Sequence, residues 1–244
     1  MDRIAKVIAN AGYTSRRKAE ELIKQGRVYV NDLKVIELGL KVSGNDVIKV
    51  DGEVINQDDK HYEYYLLNKP RGVISSTSDD KGRKTVVDLI NTKERIYPVG
   101  RLDYDTTGLL ILTNDGELSN ILTHPSSKID KTYLAKVKGL FKVEDLKKLQ
   151  KGVVIDRFKT SPCKVKIKDF DKKTNTSKVE IIIHEGKNHQ VKKMFASLGY
   201  EVLKLKREKY AFLNLKGLSS GEYRILNPKE VKILYSLGHE KKEK

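Results

Sequence analysis

Cysteine is almost absent from this sequence, since Cys163 is the only one among 244 residues. A single cysteine excludes an intrachain disulfide and any zinc site built from several thiolates. The five histidines are scattered without metal-ligand spacing. The sequence therefore predicts neither a disulfide nor a metal centre.

Long apolar stretches are also missing. No segment approaches the ~20 consecutive apolar residues that cross a bilayer. The first residues, "MDRIAKVIANAG", lack the long apolar core of a signal peptide. We therefore expect a cytoplasmic, monomeric protein that has no membrane partner.

Acidic residues are few compared with basic ones: 33 Asp and Glu stand against 49 Lys and Arg, for a net charge of +16. Positive charge on this scale in a folded chain points to a polyanionic partner, most often nucleic acid. The alternative is a solubility bias shared by a whole proteome. Hydrophobic residues make up 38% and charged residues 34%, which is typical of a globular protein with a heavily charged surface.

Residues 1–60 have the pattern of a small separate domain. The apolar positions of "IAKVIAN" share one helical face, and a second helix follows Thr14 and Ser15, either of which can cap it. The segments "RVYVNDLKVI" and "DVIKVDGEVI" then indicate two β-hairpins about Asn-Asp and Asp-Gly turns. The polar stretch 57–63 is the predicted linker to a larger domain over residues 61–240.

The basic residues of this first region are clustered. Eight Lys or Arg stand against three acids between Arg3 and Lys34. A cationic cluster at a helix N-terminus opposes the helix dipole, and it becomes favourable where a phosphate group binds. An ordinary solvated face is the alternative. The predicted phosphate-binding residues are Arg16, Arg17, Lys18, Lys24 and Arg27.

From Tyr64 onward strands dominate, with helices inserted between them. "KTYLAKVKG" and "SKVEIIIHEG" predict strands, and "EVLKLKREKYAFLNL" predicts one long alternating strand. "VEDLKKLQKG" and "HQVKKMFASLG" predict helices that end at glycine. The order indicates an α+β domain with flanking helices around a mixed, mostly antiparallel sheet.

The stretch "GRLDYDTTGLLILTNDG" holds three aspartates around an apolar run. Asp115 follows a buried strand in a turn signal, so a turn role is predicted for it. Asp105 is expected to make a loop hydrogen bond to a neighbouring threonine or a backbone amide. Asp103 is the candidate for chemistry, because it lies in a glycine-flanked loop near the cation Arg101.

Three further stretches carry candidate functional residues. Tyr133 lies in "KTYLAKV", where packing is the alternative role. "HEGKNHQVKKMF" places several lysines at the start of a helix, which indicates an anion nearby. "LNKPRGVIS" holds two cations around a proline turn. The basic candidates of these stretches and of the Asp103 loop are Lys69, Arg71, Arg101, Lys187, His189, Lys192 and Lys193.

The motifs "GRLDYDTTGLLILTNDG", "KTYLAKV" and "EGKNHQVKKMF", in this order behind the first region, resemble those of bacterial ribosomal RNA pseudouridine synthases. The resemblance is to the branch that includes RsuA and the RluB type, and it is closest to the RluB type, which acts on 23S RNA. Residues 1–60 resemble the S4-like RNA-binding domain of this branch. His189 is closer to RsuA, which leaves a 16S substrate as an alternative.

The resemblance implies roles for several of the candidates. Asp103 corresponds to the catalytic aspartate, Tyr133 to the active-site tyrosine, and Lys192 to the basic partner of the aspartate, where many relatives have arginine. The other basic candidates are then RNA-binding residues. The reaction turns uridine into pseudouridine by breaking an N–C glycosidic bond and rejoining the base through carbon, so it needs no cofactor.

The chemistry agrees with these residue types. Glycosidases place a carboxylate beside the anomeric carbon, and a nearby cation keeps such a carboxylate ionised in a partly buried pocket. The target base must be flipped out or presented in a loop. Two other hypotheses remain: a non-catalytic RNA-binding or ribosome-assembly factor, and a metal-dependent nuclease using Asp103, Asp105 and Asp115.

Overall fold

The structure, a computed structural model, describes residues 1–55 and 61–239. The chain divides into two units. The first contains residues 1–63 with the stretches 91–96 and 113–116, and the second contains the rest of the chain. Most of the predicted linker lies outside the described residues, and the domain boundary near residue 60 stays a prediction.

The first unit begins with two short helices. Helix α1 spans Ile4–Asn10 and α2 spans Arg16–Lys24. Ser15 is the cap of α2, because its hydroxyl accepts a hydrogen bond from the backbone N–H of Lys18 at 3.1 Å. Gly26 follows with a φ of +68°, which ends the helix as the sequence predicts.

Two predicted hairpins follow the helices in the first unit. Asn31 and Asp32 have φ values of 49° and 65°, and Asp51 and Gly52 have values of 54° and 85°. These left-handed pairs form tight turns whose twist matches the flanking strands. Both hairpins are confirmed. The strands are β1 (Asp2–Arg3), β2 (Val28–Val30), β3 (Leu33–Val35), β4 (Lys41–Val42), β5 (Ile48–Val50) and β6 (Glu53–Val54).

From Tyr64 onward the chain alternates strands and helices. The strands are β7 (Tyr64–Lys69), β8 (Tyr97–Pro98), β9 (Thr107–Thr113), β10 (Lys131–Lys138), β11 (Val154–Ile155), β12 (Phe158–Lys159), β13 (Lys164–Asp171), β14 (Thr176–Ile183), β15 (Val202–Tyr210), β16 (Leu213–Asn214) and β17 (Tyr223–Ile225). The α-helices are α3 (Gly116–Thr123), α4 (Val143–Lys151), α5 (Gln190–Ala196) and α6 (Pro228–His239). Short 3-10 helices span Val87–Leu89 and Pro125–Ser127.

One large sheet organises the second unit. Its strand order is β13-β14-β10-β15-β9-β7-β17, with β8 and β16 attached to β9 and β15. Strand β10 is antiparallel to both β14 and β15, whereas β15 and β9 run parallel. The mixed, mostly antiparallel sheet and the α+β class are as predicted. No helix in the described ranges is long and apolar enough to cross a membrane.

The close approach of β9 to β15 depends on a glycine. Gly108 lies opposite Arg207 in the parallel pair and has a φ of +107°. A Cβ at this position would lie 2.2 Å from the backbone oxygen of Arg207, so no side chain fits there. The glycine thereby lets the strand that follows the Asp103 loop lie directly beside β15.

The prediction that "EVLKLKREKYAFLNL" forms one long strand is wrong in one respect. Strand β15 ends at Tyr210, and Ala211 has a left-handed φ of 50°. The chain folds back there, so that Leu213 pairs with Tyr210 in a short hairpin. Alternation in the sequence continues through this turn and therefore gives no sign of it.

Candidate active site

A cavity of about 910 Å³ opens in the second unit and holds two of the three residues singled out for chemistry. It lies among the loop after Gly100, strand β10, strand β15 and the segment that leads into α5. Its volume is within the range of about 300–1,000 Å³ that is typical of small-molecule sites. Asp103 and Tyr133 both line it. Three of the predicted basic residues also line it: Arg101, Lys187 and His189.

The Asp103 loop is held on both sides of the aspartate. On one side, Ser75 bonds the backbone of Leu102 twice, donating to its oxygen at 2.8 Å and accepting from its N–H at 3.1 Å. On the other, the Lys69 ammonium donates to the backbone oxygens of Asp103 at 3.1 Å and Thr106 at 3.0 Å. The carboxylate therefore projects from a fixed backbone.

The prediction that Lys69 binds RNA is wrong. Its side chain is fully buried, with 0% exposure, and its third hydrogen bond goes to the oxygen of Pro70 at 3.1 Å. Burial lowers the pKa of this lysine to about 8, and the negative charges of Asp103 and Asp105 oppose that shift. Because backbone carbonyls take its three donors, Lys69 shapes the loop and has no surface for phosphate.

Lys192 bridges the two aspartates of the loop. Its ammonium lies 3.2 Å from Asp103 Oδ2 and 2.5 Å from Asp105 Oδ1. His189, whose ring Nε2 lies 3.4 Å from Asp103 Oδ1, approaches the same carboxylate from the residue before α5. The Asp103 side chain keeps 27% of its surface exposed, so it remains open to a ligand in the cavity.

The pairing of Asp105 goes beyond the prediction. The predicted hydrogen bond from a backbone amide is present, but the main contact of the carboxylate is the ammonium of Lys192. The hydrogen bond from Lys192 is the largest cause of the lowered pKa of Asp105. Burial works against the charge of Lys192, yet its hydrogen bonds to Asp105 and Asp103 raise its pKa overall. One cation thus serves two carboxylates.

The start of α5, which carries Lys192, is fixed by a buried glutamine. Gln190 is 3% exposed; its amide donates to Glu185 at 2.6 Å and accepts from the backbone N–H of Lys187 at 3.0 Å. Ser161 bonds Glu185 from another segment at 2.9 Å. This network orients the first turn of the helix, and the sequence analysis missed it.

Tyr133 presents its ring to the cavity from strand β10. Tyr133, Ala135 and Val137 occupy alternate positions of this strand and are all buried. The hydroxyl of Tyr133 lies 3.5 Å from Arg207 Nη1 across the β10–β15 pair. Tyr133 is 8% exposed. It is therefore a wall residue of the cavity with its hydroxyl next to a cation.

Arg207 is a buried cation of the cavity that the sequence analysis did not single out. It is 3% exposed and donates from Nε to the backbone oxygen of Leu109 at 2.7 Å. The available signal was the alternation of "LKLKREKY", which puts Arg207 in phase with the buried Leu205. A charged residue at an inward position of a strand is unusual and indicates a specific partner.

The remaining basic candidates of the second unit differ in what their side chains contact. Lys193 is paired with Asp156, and Lys187 lies over the ring of Phe158. Arg71 is exposed in the turn after β7. The anion expected near the lysines of α5 is thus supplied by aspartates of the protein itself.

The basic cluster of the first unit lies at exposed positions. Lys18 pairs with Glu21 at 3.0 Å. Arg27 binds Asp51 through two hydrogen bonds of 2.5 and 2.6 Å. All five predicted residues are exposed, namely Arg16, Arg17, Lys18, Lys24 and Arg27. The cluster is therefore accessible to a ligand, although two of its members already have acidic partners.

The three aspartates of "GRLDYDTTGLLILTNDG" do not converge on one site. Asp115 is 1% exposed, directly precedes α3 and does not line the cavity. Within residues 1–55 and 61–239, no group of three or more His, Cys, Asp or Glu could hold a metal ion. The arrangement that a carboxylate-based nuclease site requires is therefore missing from the described part of the chain.

Comparison with known proteins identifies the chain. The family model described as RNA pseudouridylate synthase matches residues 63–197, and the S4 domain model matches residues 2–48. A solved structure described as "Crystal structure of pseudouridylate synthase" superposes with a TM-score of 0.69 at 32% identity, covering 96% of this chain and 100% of that one. The chain belongs to the RNA pseudouridine synthase family, and it is an enzyme of that family with an S4 domain.

Two named relatives cover nearly the whole chain. "Ribosomal large subunit pseudouridine synthase B" of Bacillus subtilis (strain 168) is 57% identical over 97% of this chain and 97% of its own length. "Dual-specificity RNA pseudouridine synthase RluF" of Escherichia coli (strain K12) is 36% identical over 96% of this chain and 79% of its own length. The family predicted from the motifs is confirmed.

Proposed function

We propose that this enzyme isomerises one uridine of large-subunit (23S) ribosomal RNA to pseudouridine, with Asp103 as its catalytic carboxylate and without a cofactor. The Bacillus subtilis relative, whose name specifies the large ribosomal subunit, supports this substrate at 57% identity. The observation that carries the chemistry is the partly exposed Asp103 carboxylate in the cavity, 3.2 Å from the Lys192 ammonium.

The reaction requires the N1–C1′ bond of the nucleotide to break, the uracil to turn, and C5 to bond to C1′, with loss of the C5 proton and gain of a proton at N1. An ionised carboxylate can act as the nucleophile or stabilise the positive charge that develops. Lys192 forms ion pairs with both loop carboxylates, and the clamp of Lys69 and Ser75 holds Asp103 in position. The target base enters the cavity flipped out of its stack.

A map of pseudouridines in ribosomal RNA tests the function directly. RNA from cells with and without this protein is compared at every uridine. We expect one pseudouridine to disappear from 23S RNA in the strain that lacks the protein. Loss of a site in 16S RNA instead would favour the RsuA-like alternative, and an unchanged map would favour a non-catalytic assembly factor.

Tyr133 is proposed to stack on the uracil and to approach the proton lost at the end of the reaction. Tyr133→Phe should therefore slow product formation about a hundredfold while leaving the fold and RNA affinity intact, because a ring still stacks without its hydroxyl. Single-turnover rates and RNA binding of the same preparations give the answer. Tyr104→Phe, a change in an exposed tyrosine of the same cavity, is the control. An unaltered rate in Tyr133→Phe would show that the hydroxyl has no chemical role and that Tyr133 only packs in the cavity wall.

The first unit is proposed to hold RNA through its phosphates without contacting the reacting base. Replacing both Arg16 and Arg17 with Gln in the full chain should weaken RNA binding and reduce the slope of log affinity against log salt by about one to two. The matched control replaces Lys172 and Lys173, exposed residues of the turn after β13, with Gln. An identical salt slope for parent and Arg16/Arg17 variant would contradict the proposal.

A further inference from the structure

Arg207 lies at the buried wall of the cavity with part of its guanidinium unpaired. Its Nε donates to the oxygen of Leu109 at 2.7 Å, and Nη1 lies 3.5 Å from the Tyr133 hydroxyl. Nη2 has no hydrogen-bond partner within the part of the chain that the structure describes. Buried donors in native proteins are nearly always paired, so an unpaired nitrogen on a cavity wall indicates a ligand.

A second cation, Lys131, lies on the same wall. Its Nζ donates to the oxygens of Ile129 at 3.1 Å and His184 at 2.8 Å, which uses two of its three N–H groups. Burial, and then the charge of Arg207, lower the pKa of Lys131 to about 8, against the opposite effect of Asp130. The hydrogen bonds of both cations go to carbonyls and a hydroxyl, so this wall remains positive.

The guanidinium is held rigidly. The ring of Tyr210 supports it, with the Arg207 Cζ 5.3 Å from the ring centroid, and the Tyr210 hydroxyl is itself anchored on the oxygen of Leu122 at 2.6 Å. The backbone of Arg207 packs against Gly108, where no side chain fits. A donor fixed in this way needs no reorganisation when charge develops in front of it.

We propose that Arg207 donates through its Nη groups to a carbonyl oxygen of the target uracil and stabilises the negative charge that the base acquires during the reaction. This inference rests on the proposed function. When the N1–C1′ bond breaks, its electron pair stays on the base and is delocalised over N1, O2 and O4. Bond formation from C5 to C1′ then restores a neutral ring, and the C5 proton is lost while N1 gains a proton; Arg207 keeps its own protons throughout.

The surroundings favour a base over a phosphate group at this wall. Apolar side chains line the cavity near Arg207, among them Leu122, Ile129 and Leu205, and they suit a flat ring better than a hydrated phosphate. Tyr133, the proposed stacking residue, contacts Arg207 directly. A base resting on that ring would bring its carbonyls toward the guanidinium.

The test compares Arg207→Gln with the parent on three RNA transcripts. They carry uridine, 2-thiouridine or 4-thiouridine at the target position that the pseudouridine map identifies. Sulfur accepts hydrogen bonds poorly, so one thio transcript lacks the contact that Arg207 makes. We expect a loss of about a hundredfold in single-turnover rate on uridine. On the transcript in which sulfur replaces the oxygen that Arg207 contacts, the rate loss caused by Arg207→Gln should shrink to about threefold. The affinity of Arg207→Gln for the uridine transcript should differ from that of the parent by less than about threefold.

Two further variants keep the outcome decisive. Arg207→Lys retains the charge and serves as the test if Arg207→Gln folds poorly. Its rate loss on the uridine transcript should be smaller than that of Arg207→Gln, and this loss should shrink on the same thio transcript. Lys209→Gln, an exposed change on the same strand, is the control. An equal loss on all three transcripts would show a structural or phosphate role and overturn the Arg207 inference alone. Absence of product from the parent on uridine would overturn the proposed function as well.

Discussion

Asp103→Asn should yield a folded protein that binds its RNA at least as well as the parent and forms pseudouridine at least about a thousandfold more slowly. The amide has nearly the size of the carboxylate, and the backbone clamp of Lys69 and Ser75 does not involve the side chain. The substitution removes a negative charge from a basic site, which favours the approach of phosphate. Product formation and RNA binding are measured on the same preparation.

Asp105→Asn is the matched control for this experiment. It removes the same charge from the same loop and the other ion pair of Lys192. The Lys192 ammonium lies 2.5 Å from the Asp105 carboxylate and 3.2 Å from that of Asp103. If Asp103 is the catalytic carboxylate, Asp105→Asn should slow the reaction far less, by about tenfold at most. Normal product from Asp103→Asn, or equal losses from the two variants, would refute the assignment of Asp103.

Lys192→Met should move the acid limb of the pH–activity profile to higher pH, with RNA binding largely retained. The ammonium is the cation shared by Asp103 and Asp105, and its hydrogen bond is the largest cause of the lowered pKa of Asp105. A carboxylate near a cation holds its charge to lower pH. Removing the cation therefore raises the pKa of Asp105, so the part of the acid limb that reports the ionisation of Asp105 moves to higher pH.

Two variants of the same helix separate this electrostatic effect from damage to the fold. Lys192→Arg keeps the charge and should restore the parental profile, whereas Lys193→Met removes a neighbouring lysine whose partner is Asp156 and should leave the profile in place. Rates are measured across pH at saturating RNA. A Lys192→Met enzyme that is slower at every pH by one constant factor would show that Lys192 acts by positioning alone.

Much of the local structure could be predicted because its causes are local. Ser15 caps α2 with its own side chain, and the Asn31-Asp32 and Asp51-Gly52 turns form from residues that tolerate a left-handed backbone. The inward face of β10 follows from a two-residue period. The loop pattern brought Asp103 forward as a candidate, the family resemblance added Tyr133, and both line the cavity.

The contacts within the site were decided by the tertiary structure. Lys69 looks like a surface cation in "LNKPRGVIS", yet its ammonium is buried against the backbone oxygen of Asp103, 34 positions further along the chain. Asp105 receives Lys192 from 87 positions away. Neither the residue type of Lys69 nor the proline turn beside it shows that the fold buries this lysine.

The sequence by itself determined the elements, the order of the motifs and the surplus of positive charge, because propensity, period and composition depend on neighbouring residues. The tertiary structure decided what each charge does. Arg207 illustrates the difference: its alternation puts it on the inward face of β15, but only the sheet order sets it between Tyr133 on β10 and Leu109 on β9. Pairing between distant strands arises from packing of the whole sheet, and it leaves no local mark in the sequence.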